Sequence, residues 1–148
     1  MRNKVFNTVF ENMLRLLLLT DTLNAPANVD RLAALDFICI YGKKCKVLDK
    51  NLHGDNEFGF AEFANKRKKI TEAIMLSVKN AFIKVEYTDK GFLYSINDRG
   101  RSVVQGLQSP YARSYVVGAK IVCRKFSNFT DDSVLKYISD KATESKEA

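Results

Sequence analysis

The sequence predicts an α+β fold that is mostly helical, with one pair of strands placed between helices. A basic helical segment begins near Phe60, and two short runs of alternating apolar residues follow it, separated by Asp89-Lys90-Gly91. Asn97-Asp98 then opens another helix. This order is typical of a winged helix-turn-helix-like domain with a two-stranded wing, to which the sequence adds C-terminal helices. Such a fold docks on nucleic acid or protein and brings no catalytic chemistry of its own.

The chain of 148 residues, 46% of them hydrophobic, is long enough to form one sizeable core. We expect the winged-helix-like part to cover residues 1–108 and a helical extension packed on it to cover 109–140. The polar residues 141–148 are expected to form a disordered tail. Together these parts are expected to make a single domain.

The first helix is predicted from about Lys4 to Leu19. Apolar residues recur on one face of it, at Phe6, Phe10, Met13 and Leu17. Asn28 stands where an N-cap would begin a second helix at Val29, which should reach about Tyr41. Gly42 is then expected to end this helix in the left-handed conformation.

An irregular loop is predicted over residues 43–59, with His53 inside it. The helix that follows should run from Phe60 to Phe82. Its apolar face is predicted to hold Phe60, Phe63, Ile70, Ile74, Val78 and Ala81, with Lys66, Lys68 and Lys69 turned away from it. The wing strands then pair through the turn at Asp89-Lys90-Gly91.

Three more helices are predicted after the wing. Asn97 or Asp98 caps the first, and a long one from Tyr111 to about Phe126 carries Tyr111, Tyr115, Gly118, Ala119 and Val122 on one side. Thr130-Asp131-Asp132-Ser133 starts the last, because carboxylates favour the positive end of a helix dipole.

Motifs for catalysis are absent from the sequence. It has no glycine-rich phosphate loop, no Gly-x-Ser-x-Gly elbow and a single histidine, so we predict no enzyme and no cofactor. His53 beside Asp55 could still act as one acid or base in a small hydrolase. Zinc could be bound by ligands of the types found at His53, Cys39, Cys45 and Cys123. Their spacing matches no compact zinc motif, so we predict that the cysteines are small buried side chains and that no metal is bound.

Charge points to a macromolecular partner. The chain has 24 Lys and Arg against 17 Asp and Glu, a formal net charge of +7. The predicted contacts to phosphates or to an acidic protein are Lys66, Arg67, Lys68, Lys69 and, at the wing tip, Lys90. A protein partner is expected to contact His53, Asp55, Tyr111 and Tyr115, although an aromatic helical stripe equally fits a core.

The chain is expected to be cytoplasmic and reduced. Three cysteines without a CxxC pair do not suggest disulfides, and no apolar run reaches the length of a membrane-spanning helix. The leucines at 16–19 are too few for a secretory signal.

Four segments resemble a known family. They are Val5-Phe6-Asn7-Thr8 with Phe10-Glu11-Asn12, Leu35-Asp36-Phe37-Ile38 with Ile40-Tyr41-Gly42-Lys43, the loop hexapeptide Asn51-Leu52-His53-Gly54-Asp55-Asn56, and Glu62-Phe63-Ala64 ahead of Arg67. Over about Lys4 to Leu107 the chain resembles the middle component of bacterial ABC three-component systems. The resemblance implies a small winged-helix-like protein that acts with an SMC-like or ABC-type ATPase and an effector, often a nuclease, in Lamassu-like defence against phage or plasmids. It implies no catalytic residues.

The predicted function is therefore a non-catalytic adaptor that links the ATPase to the effector. Its basic helix is expected to face either DNA, with weak contact, or an acidic patch on the effector. The alternative is a dimeric winged-helix transcription regulator. In that alternative the helix of Lys66–Lys69 enters the major groove and the helix from Tyr111 to Phe126 forms the homodimer.

Overall fold

The computed structural model describes residues 8–54 and 59–147. Along the chain lie α1 (Val9–Leu23), α2 (Val29–Ile40), a 3-10 turn (Gly59–Glu62), α3 (Phe63–Lys79), β1 (Ile83–Thr88), β2 (Gly91–Ile96), α4 (Asp98–Gln105), α5 (Pro110–Lys125) and α6 (Asp131–Glu147). The prediction of a mostly helical α+β fold with one strand pair is confirmed. Its assignment to the winged helices stays a prediction.

Side-chain caps define where the helices begin. Asn28 accepts a hydrogen bond from the amide of Arg31 at 2.8 Å, and Asn97 accepts one from the amide of Gly100 at 2.8 Å. Both caps were predicted, and each satisfies an amide that has no partner within its helix. At the start of α5, Ser109 is the cap and Pro110 takes the first helical position, where its missing N–H costs nothing.

The centre of the core is the pair α1 and α2. α1 packs on α3, α4 and α5, and α2 packs on α3, α5 and α6. Of the predicted stripe on α1, Met13 and Leu17 are buried as expected. Phe10 is 58% exposed, so its prediction as a core residue is wrong. Phe6 and the predicted helix start at Lys4 lie outside the described residues.

Gly42 does not end α2 in the way predicted. Its backbone is not left-handed, and α2 ends at Tyr41 with φ −109°. Glycine is needed there for another reason, since a Cβ on Gly42 would lie 2.5 Å from the Cβ of Leu48. The loop after α2 therefore folds back tightly onto the end of that helix.

The predicted helix from Phe60 to Phe82 is shorter in the structure. A 3-10 turn precedes α3, which ends at Lys79, and Ala81 beyond it has φ 61°. Ile70 and Ile74 are buried as predicted, but Val78 is 39% exposed and Ala81 is also exposed, so both are misplaced in the predicted apolar face.

The hairpin was predicted, but its turn is one residue shorter than the predicted Asp89-Lys90-Gly91, because Gly91 belongs to β2. Thr88 pairs with Gly91 across the two-residue turn Asp89-Lys90, and Gly91 has φ 98°, which favours glycine. Only the base of its apolar face is buried, because Ile83 and Ile96 lie in the core while Tyr87 is 76% exposed. The hairpin tip therefore extends beyond the core.

The C-terminal helices complete the core. α5 buries Tyr115, Gly118, Ala119 and Val122, which were predicted to share one side of the helix, whereas Tyr111 is half-buried. α6 continues to Glu147 and so overlaps the segment 141–148 for which disorder was expected. No helix within the described ranges 8–54 and 59–147 has both the length and the hydropathy to cross a membrane.

Candidate functional site

Lys66 was predicted to face solvent, but it is buried in the structure. It is 9% exposed, and its Nζ lies 3.5 Å from a carboxylate oxygen of Asp36 in α2. Burial lowers the pKa of Lys66, although the negative charge of Asp36 opposes this. Lys66 is therefore part of the core and is not available for phosphates at the surface.

Asp36 is the centre of a buried ion cluster, which we define as Asn12, Arg15, Asp36, Lys66 and Tyr115. The Asp36 carboxylate accepts hydrogen bonds from Arg15 Nε at 2.8 Å, from Arg15 Nη2 at 3.1 Å and from the Tyr115 hydroxyl at 2.7 Å. The amide oxygen of Asn12 accepts a further bond from Arg15 at 3.0 Å. The cluster thus joins α1, α2, α3 and α5.

Electrostatics favour the charged forms of Asp36 and Arg15. Burial by itself raises the pKa of Asp36, but the charges of Arg15 and Lys66 outweigh it and hold that pKa well below its usual range. Burial likewise opposes the charge on Arg15, and Asp36 restores it, so the pKa of Arg15 is raised. The Asp36 carboxylate accepts three hydrogen bonds and its lowered pKa keeps it charged near neutral pH, so it acts as a structural clamp between the helices.

Tyr115 was predicted as a contact for a partner, and the structure corrects this. Its side chain is 1% exposed and its hydroxyl is bonded to Asp36. A residue buried in this way cannot contact another protein while the core is intact. The inner face of α5 therefore belongs to the core, which is the second of the two explanations that the sequence allowed.

The structure brings together two other predicted residues, His53 and Tyr111. His53 Nε2 lies 2.7 Å from the Tyr111 hydroxyl, and the two rings are stacked at 5.7 Å. An apolar pocket of about 240 Å³ lies next to this pair, between α1 and the start of α5, and its lining includes Tyr111 and Arg15. Asp55, the predicted partner of His53, lies outside the described residues.

The environment of His53 predicts a pH dependence of stability. Burial, with the nearby charge of Arg15, lowers the pKa of His53 from its ordinary 6.5 to about 4. As the pH falls, His53 therefore takes up a proton near pH 6.5 in the unfolded chain but only near pH 4 in the folded chain. Stability from this residue is present above pH 6.5 and is lost as the pH falls towards 4. We expect urea unfolding at pH 7 and pH 5 to show a smaller loss for His53→Gln than for the unchanged chain.

His53 is the only histidine of the chain, which makes this comparison clean. The carboxylates that titrate in the same range are common to both proteins. An equal loss of stability in the two proteins would contradict the assignment.

The other predicted basic residues differ in whether an acidic residue pairs with them. The guanidinium of Arg67 is held by Asp30 at 2.6 Å in an exposed ion pair. Lys68 is exposed, Lys69 is half-buried and Lys90 is exposed at the hairpin turn. Of the predicted basic quartet, only Lys68 and Lys69 therefore present charge to solvent without an observed ion pair among residues 8–54 and 59–147.

A more basic surface lies on α5, where the sequence reasoning did not place one. We define the outer face of α5 by five residues that are all exposed, namely Arg113, Val117, Lys120, Ile121 and Arg124. Val117 is 63% exposed and Ile121 is 47% exposed. The helix contains no acidic residue, and its three cations here make no ion pair with any described residue. The sequence did carry a signal for this face, because the other four residues follow Arg113 by 4, 7, 8 and 11 positions, a spacing that places them on one side of a helix.

The three cysteines are all at least half-buried. Cys39 and Cys45 are buried and Cys123 is half-buried. Burial raises the pKa of Cys45 to about 12 and that of Cys123 to about 11, so these thiols stay protonated at neutral pH. Within the part of the chain that the structure describes, no three His, Cys, Asp or Glu side chains are grouped to hold a metal ion.

Comparison with known proteins gives one family. The model of the ABC-three component (ABC-3C) system Middle Component 2 matches residues 5–148. No curated protein and no solved structure matches significantly.

Proposed function

Since this chain belongs to the Middle Component 2 family of ABC-three component systems, we propose that it is the non-catalytic adaptor that links an SMC-like or ABC-type ATPase to an effector in defence against phage or plasmids. A component of a three-component system acts with protein partners. The observation that supports an adaptor most directly is the outer face of α5. It offers exposed apolar side chains flanked by cations that form no ion pair with the residues the structure describes.

The chemistry of this face defines its partner. Val117 and Ile121 are one helical turn apart, so together they form an apolar centre for a hydrophobic anchor. Arg113, Lys120 and Arg124 flank that centre, and they would attract carboxylates and repel a basic surface. The partner segment is therefore acidic at its edges and apolar in its middle.

The proposal is tested by co-expressing the chain with the proteins encoded by its two flanking genes. A tag on this chain should recover a complex that contains the ATPase, and light scattering should show a mass above that of the chain alone. We expect Val117→Asp together with Ile121→Asp to abolish recovery of at least one partner. The matched control is Met75→Asp, because Met75 is 67% exposed on α3 and lies away from α5.

A regulator would give a different result. The isolated chain would then bind one DNA sequence tightly at physiological salt, and the flanking proteins would not be recovered. Burial of Lys66 and pairing of Arg67 with Asp30 leave α3 with fewer free cations than that alternative requires. Recovery of no partner, or equal recovery with the α5 double variant, would overturn the adaptor proposal or its placement on α5.

A further inference from the structure

The two edges of the hairpin differ. On the β2 side, Tyr94 exchanges two backbone hydrogen bonds with Ala27, at 3.0 Å and 2.8 Å. On the β1 side, no backbone hydrogen bond from the described residues reaches Val85 or Tyr87 from outside the hairpin. The outer edge of β1 is therefore open to another strand at Val85 and Tyr87, whereas Ile83 on the same edge is buried.

The register shows which backbone groups this edge presents. Tyr94 turns its amide and carbonyl towards Ala27 and pairs with Val85 on its other side. In an antiparallel sheet, a residue whose amide and carbonyl point outward forms no hydrogen bonds with the residue directly opposite it, so Tyr94 and Val85 are a non-hydrogen-bonded pair. The amide and carbonyl of Val85 consequently point away from β2, and by alternation those of Ile83 and Tyr87 do so too.

The side chains along this edge are complementary to a copy of themselves. If β1 pairs antiparallel with β1 of a second molecule and Val85 faces Val85, then Lys84 lies directly opposite Glu86 twice across the twofold axis. Both residues are exposed and make no ion pair with the described residues. The same register places Tyr87, 76% exposed, and Val85, 41% exposed, on one apolar face of the joined sheet.

We propose that this protein forms a homodimer by antiparallel pairing of β1 with β1 of a second copy, centred on Val85. Two backbone hydrogen bonds follow from the register at the central pair of Val85 with Val85. Ile83 is only 4% exposed, so its pairing with Tyr87 is not counted. Opposite charges facing each other across strands are favourable and like charges are unfavourable. This proposal concerns the chain alone, so its outcome is independent of any ATPase or effector.

Charge reversal tests both the partner and the register. Lys84→Glu sets two carboxylates against each other at both cross-strand pairs, and Glu86→Lys sets two ammonium groups there, so each should weaken dimerisation by about tenfold or more. The double variant with both changes restores opposite charges and should dimerise as the unchanged chain does. Sedimentation over a range of concentrations measures all four proteins, and Lys68→Glu, at an exposed lysine away from the edge, is the matched control.

Mixing gives the decisive readout. The two single variants, each weakened in its own dimerisation, should form a heterodimer when combined, because two acidic residues then face two basic ones. Val85→Pro should abolish dimerisation without unfolding the hairpin, because the amide of Val85 points away from β2 and has no backbone partner among the described residues. A monomeric unchanged chain, a double variant that stays monomeric, or single variants that do not combine would each overturn the proposal.

Discussion

Asp36→Asn is expected to lower the free energy of unfolding by about 3–5 kcal/mol, because breaking a buried ion cluster leaves uncompensated charge in the core. Arg15 and Lys66 would lose the only carboxylate that the described residues place against both of them. Asp36 is fully buried, so water cannot replace the lost charge. Urea unfolding at pH 7, followed by circular dichroism, measures the change.

The exposed ion pair provides the control for Asp36. Asp30→Asn removes the partner of Arg67 at the surface, where such a pair contributes at most about 1 kcal/mol. Adding Lys66→Met to Asp36→Asn should recover part of the loss, since it removes one of the two stranded cations. A single Asp36→Asn variant as stable as the Asp30→Asn variant would contradict the role given to the cluster.

The same cluster sets a pH dependence in the acid range. The folded chain holds the pKa of Asp36 below its usual range, so the ionised form stabilises the fold above the pKa of the unfolded chain. That contribution is lost as the pH falls below about 4, where the unfolded carboxylate takes up its proton. It therefore acts at lower pH than the contribution of His53.

Phe126→Ala is expected to cost about 3–5 kcal/mol, the range for removing a large buried aromatic side chain. Phe126 is fully buried at the end of α5, and its ring contacts those of Phe129 at 4.7 Å and Tyr137 at 5.0 Å. Its carbonyl also accepts a 2.7 Å hydrogen bond from Arg31 of α2. The residue thus holds α5 and α6 against the helices before the hairpin.

This variant also tests whether residues 109–140 and the preceding part form one cooperative unit. We expect a single transition at lower urea, seen equally by circular dichroism and by tyrosine fluorescence. Val117→Ala on the exposed side of the same helix should change stability by no more than about 0.5 kcal/mol. Loss of helical signal from α6 alone, with the main transition unmoved, would show that the two parts unfold separately.

Local signals explain what the sequence predicted well. The caps at Asn28 and Asn97 depend on residues only three positions away, and the hairpin depends on a two-residue turn between alternating strands. Such features are decided within a few residues, so the sequence carries them directly. A helix from Phe60 to Phe82 was also predicted, but α3 runs from Phe63 to Lys79, and the chain turns beyond it at Ala81, where φ is 61°.

The ion cluster was not predicted, because its contacts join residues that are distant in the sequence. Lys66 lies three residues after Phe63 and four before Ile70, so it falls on the apolar stripe of α3, and this was a signal that it is buried. Arg15 and Asp36 likewise interrupt apolar helices. The pattern could indicate that these charges need partners, but only the packing of α1, α2 and α3 shows that they find one another.

The bridge between Ala27 and Tyr94 determines how far any strand addition can proceed. A hairpin with two open edges would accept a neighbour on each side, and repetition of that contact would build an endless fibre. Here the middle of one edge is already occupied by the turn between α1 and α2. Growth can therefore occur on one side only, and it stops once that side is filled.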